Sequence, residues 1–348
     1  MSTQYLSVIR QKMETVLNKI APLVACDAEN TVSQMVLRPP KNPGWGDLCT
    51  NILLMVCSDD EEMREKIAVE FIDELEQIDF VHAVKLSKSG YLNLHIKPDY
   101  WGGQLLDICQ EGIKYGFKDD LVSMEPFIAM MPTNTDDLVS LRQQWTVEAL
   151  SKLAKAIGCG ISLQNWTPPE QRGFSSKAAI SKCSEKILKL SIVSNSADFA
   201  VKFSPFLAAD RSYDNPAFSF PYVLARIDAL LSEHASDTIG EDGVILPEPI
   251  DAVNFTKEIE VELAKHLCHW PVYLRKALVQ GDMSYLTSFL QETTLLFFRL
   301  YQQEKIQSSD YLSEKGYKNA RKLLLKSVSA QIGGCLKLMG IDRAEEFI

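Results

Sequence analysis

Apolar residues recur at Leu6, Ile9, Met13, Val16, Leu17 and Ile20, the spacing of one buried helix face, and predict a single helix over residues 1–25. The stretch TVSQMVLR, Thr31 to Arg38, predicts a strand. PPKNPGWGD then interrupts regular structure with three prolines and two glycines. Asp47 is placed to cap a helix through LCTNILLMVC. A further helix is predicted from about Glu61 to Leu75. In FVHAVKLSKSGYLNLHIK, alternation on either side of Lys88-Ser89-Gly90 predicts two strands around a turn. This order, helix, strand, two helices, two strands, predicts a compact α+β domain, assigned to residues 1–115.

Residues 116–212 read differently. FIAMM predicts a strand, Leu141–Ile157 a helix, GISLQNW a second strand, and Lys177–Leu188 another helix after Pro168-Pro169. A complete doubly wound domain needs about 100–150 residues with its sheet, so this region can hold only a short parallel sheet. From residue 213 the period is helical throughout. Helices are predicted over Phe218–Ser232, Asn254–His269, Pro271–Gln280, Tyr285–Gln303, Gly316–Leu325 and Ser327–Met339. The acidic loop SDTIGEDGVILPEP separates the first two. The expectation is a C-terminal α-helical bundle over residues 213–348.

Composition narrows the possibilities. A hydrophobic fraction of 46% and a charged fraction of 24% over 348 residues suit an ordinary folded protein. The net charge of −10 argues against broad, non-specific nucleic-acid binding but allows a local basic patch. The eight cysteines include no C-x-x-C pair, which predicts reduced core thiols and a cytoplasmic protein. His266 and His269 share a helix face without a third ligand at metal spacing, so no metal is expected. The N-terminal helix lacks the apolar core of a signal peptide, and no apolar run reaches membrane-spanning length.

Several stretches resemble arginyl-tRNA synthetase. PPKNPGWGDLCTNILL and KSGYLNLHI are similar to that family's additional N-terminal domain. YDNPAFSFPYVLARIDALL, ELAKHLCHWPVYLRKAL and YLTSFLQETTLLFFRLYQQEKI resemble its DALR-type anticodon-binding domain. PTNTDDLVSLRQQW falls where the family opens its nucleotide site. The resemblance implies a multidomain α+β and all-α protein. It would comprise an N-terminal α+β domain, a remnant Rossmann-like α/β region and a helical DALR bundle.

The resemblance also implies what has changed. The family's His-x-Gly-His would fall on Asp137, Leu138, Val139 and Ser140, so both phosphate-binding histidines are absent. Pro132, Thr133 and Arg142 remain in register, and FSSK, ending at Lys177, is at best a trace of the second signature. These residues read as a degenerate nucleotide site without catalytic residues or cofactor.

Two basic patches remain as candidate tRNA contacts. In SEKGYKNARKLLLKS, Lys315, Lys318, Lys322 and Lys326 line one helix edge with Arg321 adjacent and Tyr311 and Tyr317 nearby. The plain alternative is an ordinary amphipathic helix. Arg38, Lys41 and Asn42 stand beside Trp45, whose plain alternative is packing on its own domain. Glu258, Glu260 and Glu262 read as a solvated helix face. The expected function is a non-catalytic paralogue that binds tRNA, arginine tRNA among the candidates, or serves as an adaptor in tRNA metabolism. The alternatives are a protein-interaction module without RNA, and residual arginine-tRNA ligase activity.

Overall fold

The computed structural model describes residues 5–24, 26–57, 60–116, 127–133, 136–166, 175–196, 201, 203–233, 255–303, 311, 312, 314 and 317–341. Two compact units emerge, residues 1–101 and 102–348.

In the first unit, α1 (Tyr5–Val24) buries the six expected apolar positions. Residues 31–38 are not one strand. Asp27 caps α2 (Ala28–Gln34) by accepting the Asn30 amide, and only Leu37–Arg38 form β1. The cap lets this helix form despite β-branched Thr31 and Val32. Asp47 does not cap a helix either. Its chain enters β2 (Leu48–Thr50) before α3 (Ile52–Val56), and its carboxylate accepts the Ile96 amide at 2.6 Å. Helix α4 spans Glu61–Leu75, as its period predicts, capped by Asp60. Strands β3 (Val81–Leu86) and β4 (Leu92–Ile96) form the expected hairpin, and the antiparallel sheet runs β1-β2-β4-β3. Its core holds Leu48, Ile52, Leu53, Phe71, Leu92 and Leu94.

The division between units falls inside α5 (Pro98–Glu111), after Trp101. Residues 102–115, expected in the first domain, pack within the second unit. Trp270 Nε1 donates to Ile113 O, and Ser327 Oγ donates to Leu105 O. The helix escaped the sequence reading because Gly102 and Gly103 dilute its period.

The second unit contains β5 (Phe127–Pro132), α6 (Leu138–Ile157) and β6 (Ile161–Trp166), with the two strands parallel and paired from Phe127↔Ile161 to Pro132↔Trp166. They are the only parallel pair among the described residues. Gly158, at φ 78°, ends α6 in a left-handed cap. Where one helix was expected, α7 (Ser176–Ile180) and α8 (Glu185–Val193) are separate, capped by Ser175 and Ser184. After α9 (Pro205–Ala208) come α10 (Pro216–Glu233), α11 (Glu258–Cys268), α12 (Trp270–Gln280), α13 (Ser284–Gln303) and α14 (Lys318–Leu338). The last is continuous where two helices were expected. Ser327 does not break it, because its hydroxyl bonds back to Leu323 O at 2.9 Å. The acidic loop at 236–249 lies outside the described residues.

Helix α14 is the centre of this unit, packing on α6, α10, α11 and α13. Its C-terminal carbonyls take lysine donors from the middle of the chain. Lys152 reaches Leu338 O at 3.3 Å, and Lys189 reaches Met339 O at 3.0 Å.

Candidate functional site

The residues expected to form a degenerate nucleotide site gather where β5 gives way to α6. Asp137 is the N-cap of α6, and its Oδ1 accepts the amides of Val139 at 2.8 Å and Ser140 at 3.0 Å. Its Oδ2 accepts the Ser140 hydroxyl at 2.6 Å. A helix N-terminus draws anions through its free amides and its dipole. Here the chain supplies that anion itself. Burial pushes the Asp137 carboxyl up, but the hydrogen bonds from Ser140 and Val139 outweigh it and hold the group below the usual carboxylate value.

The segment around Lys177 does reach this place. Ser175 bridges Asp137 through its backbone, and Ser176 N donates to Asp136 O at 2.9 Å. Lys177 itself is exposed on α7. Pro132 is half-buried at the end of β5, and Thr133 just beyond it is exposed. Arg142 departs from the expectation that it remains as part of a nucleotide site. It is 6% exposed, and its Nη1 donates to Ser196 O at 3.0 Å. Ser140 is fully buried.

Beside the cap lies a cleft of about 680 Å³ lined by Asp137, Asp210, Asp214, Asn215 and four serines among others. No lysine, arginine or histidine is among its described lining residues. Three carboxylates and no cation make a poor seat for a triphosphate. The sequence reading missed Asn215, whose Nδ2 gathers Ala208 O at 3.1 Å and Asp210 O at 2.6 Å and whose Oδ1 accepts the Ala217 amide. Its place directly before Pro216 is the helix-start signature that could have revealed it.

On α14, Lys318, Lys322 and Lys326 lie along one side and are half-buried. Leu324 and Leu325 between them point into the core. Lys315 lies outside the described residues. Arg321 must be removed from the candidate RNA contacts. It is 1% exposed, with its Nε on Glu260 at 2.6 Å and its Nη1 on Glu314 at 2.7 Å and on Tyr311 O at 2.8 Å. Its guanidinium also lies 4.4 Å from the Tyr311 ring and 5.5 Å from that of Tyr317. Tyr311 is buried, so it offers no face for an unstacked base.

Glu260 is likewise not on a solvated face. It is 0% exposed, because Leu263, Ala264 and Leu267 stand three, four and seven positions on, along the buried stripe. That spacing was readable beforehand.

In the first unit, Lys41 and Asn42 are exposed and Arg38 is half-buried, with its Nη1 on Pro39 O at 3.3 Å. Asn42 accepts the Gly44 amide and starts the 3-10 turn Pro43–Trp45. Trp45 is 57% exposed rather than packed on its own domain. The turn therefore presents an aromatic ring beside Lys41.

Among the described residues no cluster of three or more metal-ligating side chains occurs, and no helix is long and apolar enough to cross a membrane. His266 and His269 belong to the core. The His266 ring stacks on Phe289 at 4.1 Å with its Nε2 near Thr293 Oγ1, and His269 is buried.

A four-stranded α+β unit, a parallel pair with a capped helix and a helical bundle define the class of protein. It matches the family models Arginyl tRNA synthetase N terminal domain over residues 7–96 and DALR anticodon binding domain over residues 221–347. This chain is arginyl-tRNA synthetase-like. It is 24% identical over 158 residues to the Arginine--tRNA ligase of Wolbachia pipientis wMel, covering 44% of this chain and 28% of that protein. It is 28% identical over 156 residues to that of Carboxydothermus hydrogenoformans, covering 44% and 26%. These matches span about a quarter of each relative's length. The fold is similar to arginyl-tRNA synthetase from Plasmodium falciparum, with a TM-score of 0.67, 9% identity and 99% of both chains covered. It is also similar to that from Thermus thermophilus, with a TM-score of 0.60, 10% identity and 97% and 99% covered.

Proposed function

We propose that this chain binds tRNA without activating an amino acid, and serves as an adaptor in tRNA metabolism in the cytoplasm. The observation that carries the first half is Asp137. Its carboxylate takes up the amides at the start of α6 that a phosphate would need, above a cleft lined by Asp210 and Asp214. A positioned cation or imidazole at that point is what phosphoryl chemistry requires. The DALR bundle with its lysine edge, and the Lys41–Trp45 turn, supply surfaces for RNA. Arginine tRNA is the first RNA to test, since the relatives are named for its ligation.

Two measurements test this. ATP–pyrophosphate exchange with arginine and tRNA should equal an enzyme-free blank, and turnover above the blank that Lys177→Ala abolishes would refute the non-catalytic reading. A mobility-shift titration with total tRNA should show binding at about 50 mM salt that weakens by orders of magnitude near 200 mM. Absence of binding at low salt would favour a protein-docking module. One observation supports that second reading: β6 is exposed from Ile161 to Asn165, with Leu163 69% accessible and no charged residue on the strand.

A further inference from the structure

We propose that a cleft between α10 and α14 seats the sugar–phosphate backbone of RNA, with Gly333 as its floor. This rests on the tRNA-binding reading above and names the path the RNA takes. The cleft measures about 610 Å³. Lys326, Ser329, Gly333 and Lys337 line it from α14, and Asp228 and Leu231 face them from α10. Lys326, Ala330, Gly333 and Lys337 follow one another at intervals of four, three and four, which aligns them along one side of the helix. Lys318 and Lys322 continue the same line toward the N-terminus of α14. At 1.5 Å per residue, Lys318 to Lys337 extends over roughly 28 Å, enough for several nucleotides.

Gly333 is the telling residue. A glycine inside a helix weakens it relative to alanine, so its presence asks for a reason. Its neighbour Gly334 has one in packing, since a Cβ there would stand 2.2 Å from Ile113 Cγ2. Gly333 has none: a Cβ would meet nothing within 4 Å. The space above it is the open cleft, and a bare backbone there lets a bulky ligand lie close between the two lysines. Two ammonium groups oppose the single carboxylate of Asp228, so the lining favours an anion. The cations are spread along a line rather than converging on one point. That suits a chain of phosphodiesters better than a small phosphate ligand.

Gly333→Leu separates this role from a structural one. Leucine is the better helix former, so the thermal midpoint should hold or rise while tRNA affinity falls about tenfold. Gly333→Ala, whose methyl stays near the backbone, should keep affinity within about twofold. Lys337→Ala should lower the salt slope of binding by about 0.7 to 0.9. If the parent binds tRNA and both Gly333→Leu and Lys337→Ala bind as well with unchanged slope, the cleft is refuted and the tRNA reading survives. If the parent binds no tRNA, both are refuted. Should Gly333→Leu lower the thermal midpoint, the Lys337→Ala slope alone decides: a reduced slope supports the cleft and an unchanged one overturns it.

Discussion

Arg321 on α14 donates its Nε to Glu260 on α11 at 2.6 Å, and the two side chains are exposed by only 1% and 0%. Burial opposes the charge on Arg321, but the hydrogen bonds to Glu314 and Glu260 outweigh it and raise its pKa above the usual value. Removing one partner of a buried pair leaves the other charge uncompensated. Glu260→Ala should therefore cost about 3–5 kcal/mol in urea unfolding. The double variant Arg321→Met, Glu260→Leu should lose less than either single alanine variant. A Glu260→Ala protein of parental stability would mean that Glu314 alone compensates Arg321.

Asp137→Ala should destabilise the second unit by about 1 kcal/mol, the usual worth of an N-cap, and lower its melting midpoint by about 2–4 °C. Because the folded-state pKa of Asp137 is depressed, its contribution is present above the unfolded value of about 3.9 and is lost as pH falls through the folded one. The parent and the alanine variant should thus converge in stability at acid pH. A gap that persists there would assign the cost to packing instead.

The two core histidines work in a higher window. Burial lowers His266 to about 4, against a raising hydrogen bond with Phe289 O, and lowers His269 well below its ordinary value. Below about pH 6.5 the unfolded chain takes up protons that the folded core refuses, so stability should fall between about pH 6.5 and 4. Thermal melts of His266→Gln should show a shallower pH dependence than the parent. Equal slopes would remove His266 from this account.

Gly334→Ala should destabilise by about 1–3 kcal/mol through overpacking against Ile113. The neighbouring Gly333→Ala should not. Opposite signs one residue apart would show that α14 has one packed and one open face at this level; equal destabilisation would contradict it.

Replacing Lys318 and Lys322 together by alanine should lower the salt slope of tRNA binding by roughly 1.5, two phosphate contacts at 0.7–0.9 each, and weaken all tRNAs about equally. An unchanged slope and affinity would move the contact surface to the Lys326–Lys337 cleft or to the Lys41–Trp45 turn, and Lys337→Ala and Trp45→Ala tell these apart.

What the sequence disclosed follows from where the period is strong. Helix α4 and the β3–β4 hairpin appear as expected because caps, turns and apolar spacing agree there. Asp47 and Asp137 were harder. A lone aspartate before an apolar run can cap a helix or reach across a sheet; Asp137 does the first locally, three residues from Ser140, and only tertiary placement gives Asp47 to Ile96. Arg321 misled because its charge joined a row of lysines. Its acceptors, Glu260 and Glu314, lie 61 and 7 positions away, and the more distant of them cannot be inferred from local spacing. The absence of the two signature histidines was plain from residue identity alone. That Asp137 fills the amides itself required coordinates.

The lysine donors at the end of α14 bear on how the chain reaches its native state. Lys152 and Lys189 hold carbonyls that lie 186 and 150 residues further on, and Trp270 holds Ile113 across 157. The two lysine contacts cannot form until residues 338 and 339 have been made, and the third waits for Trp270. Loop closure over such distances is entropically costly and slows folding. The second unit therefore closes only after residues 338 and 339 have emerged, whereas the first, which spans residues 1–101, can fold while its successor is still being translated.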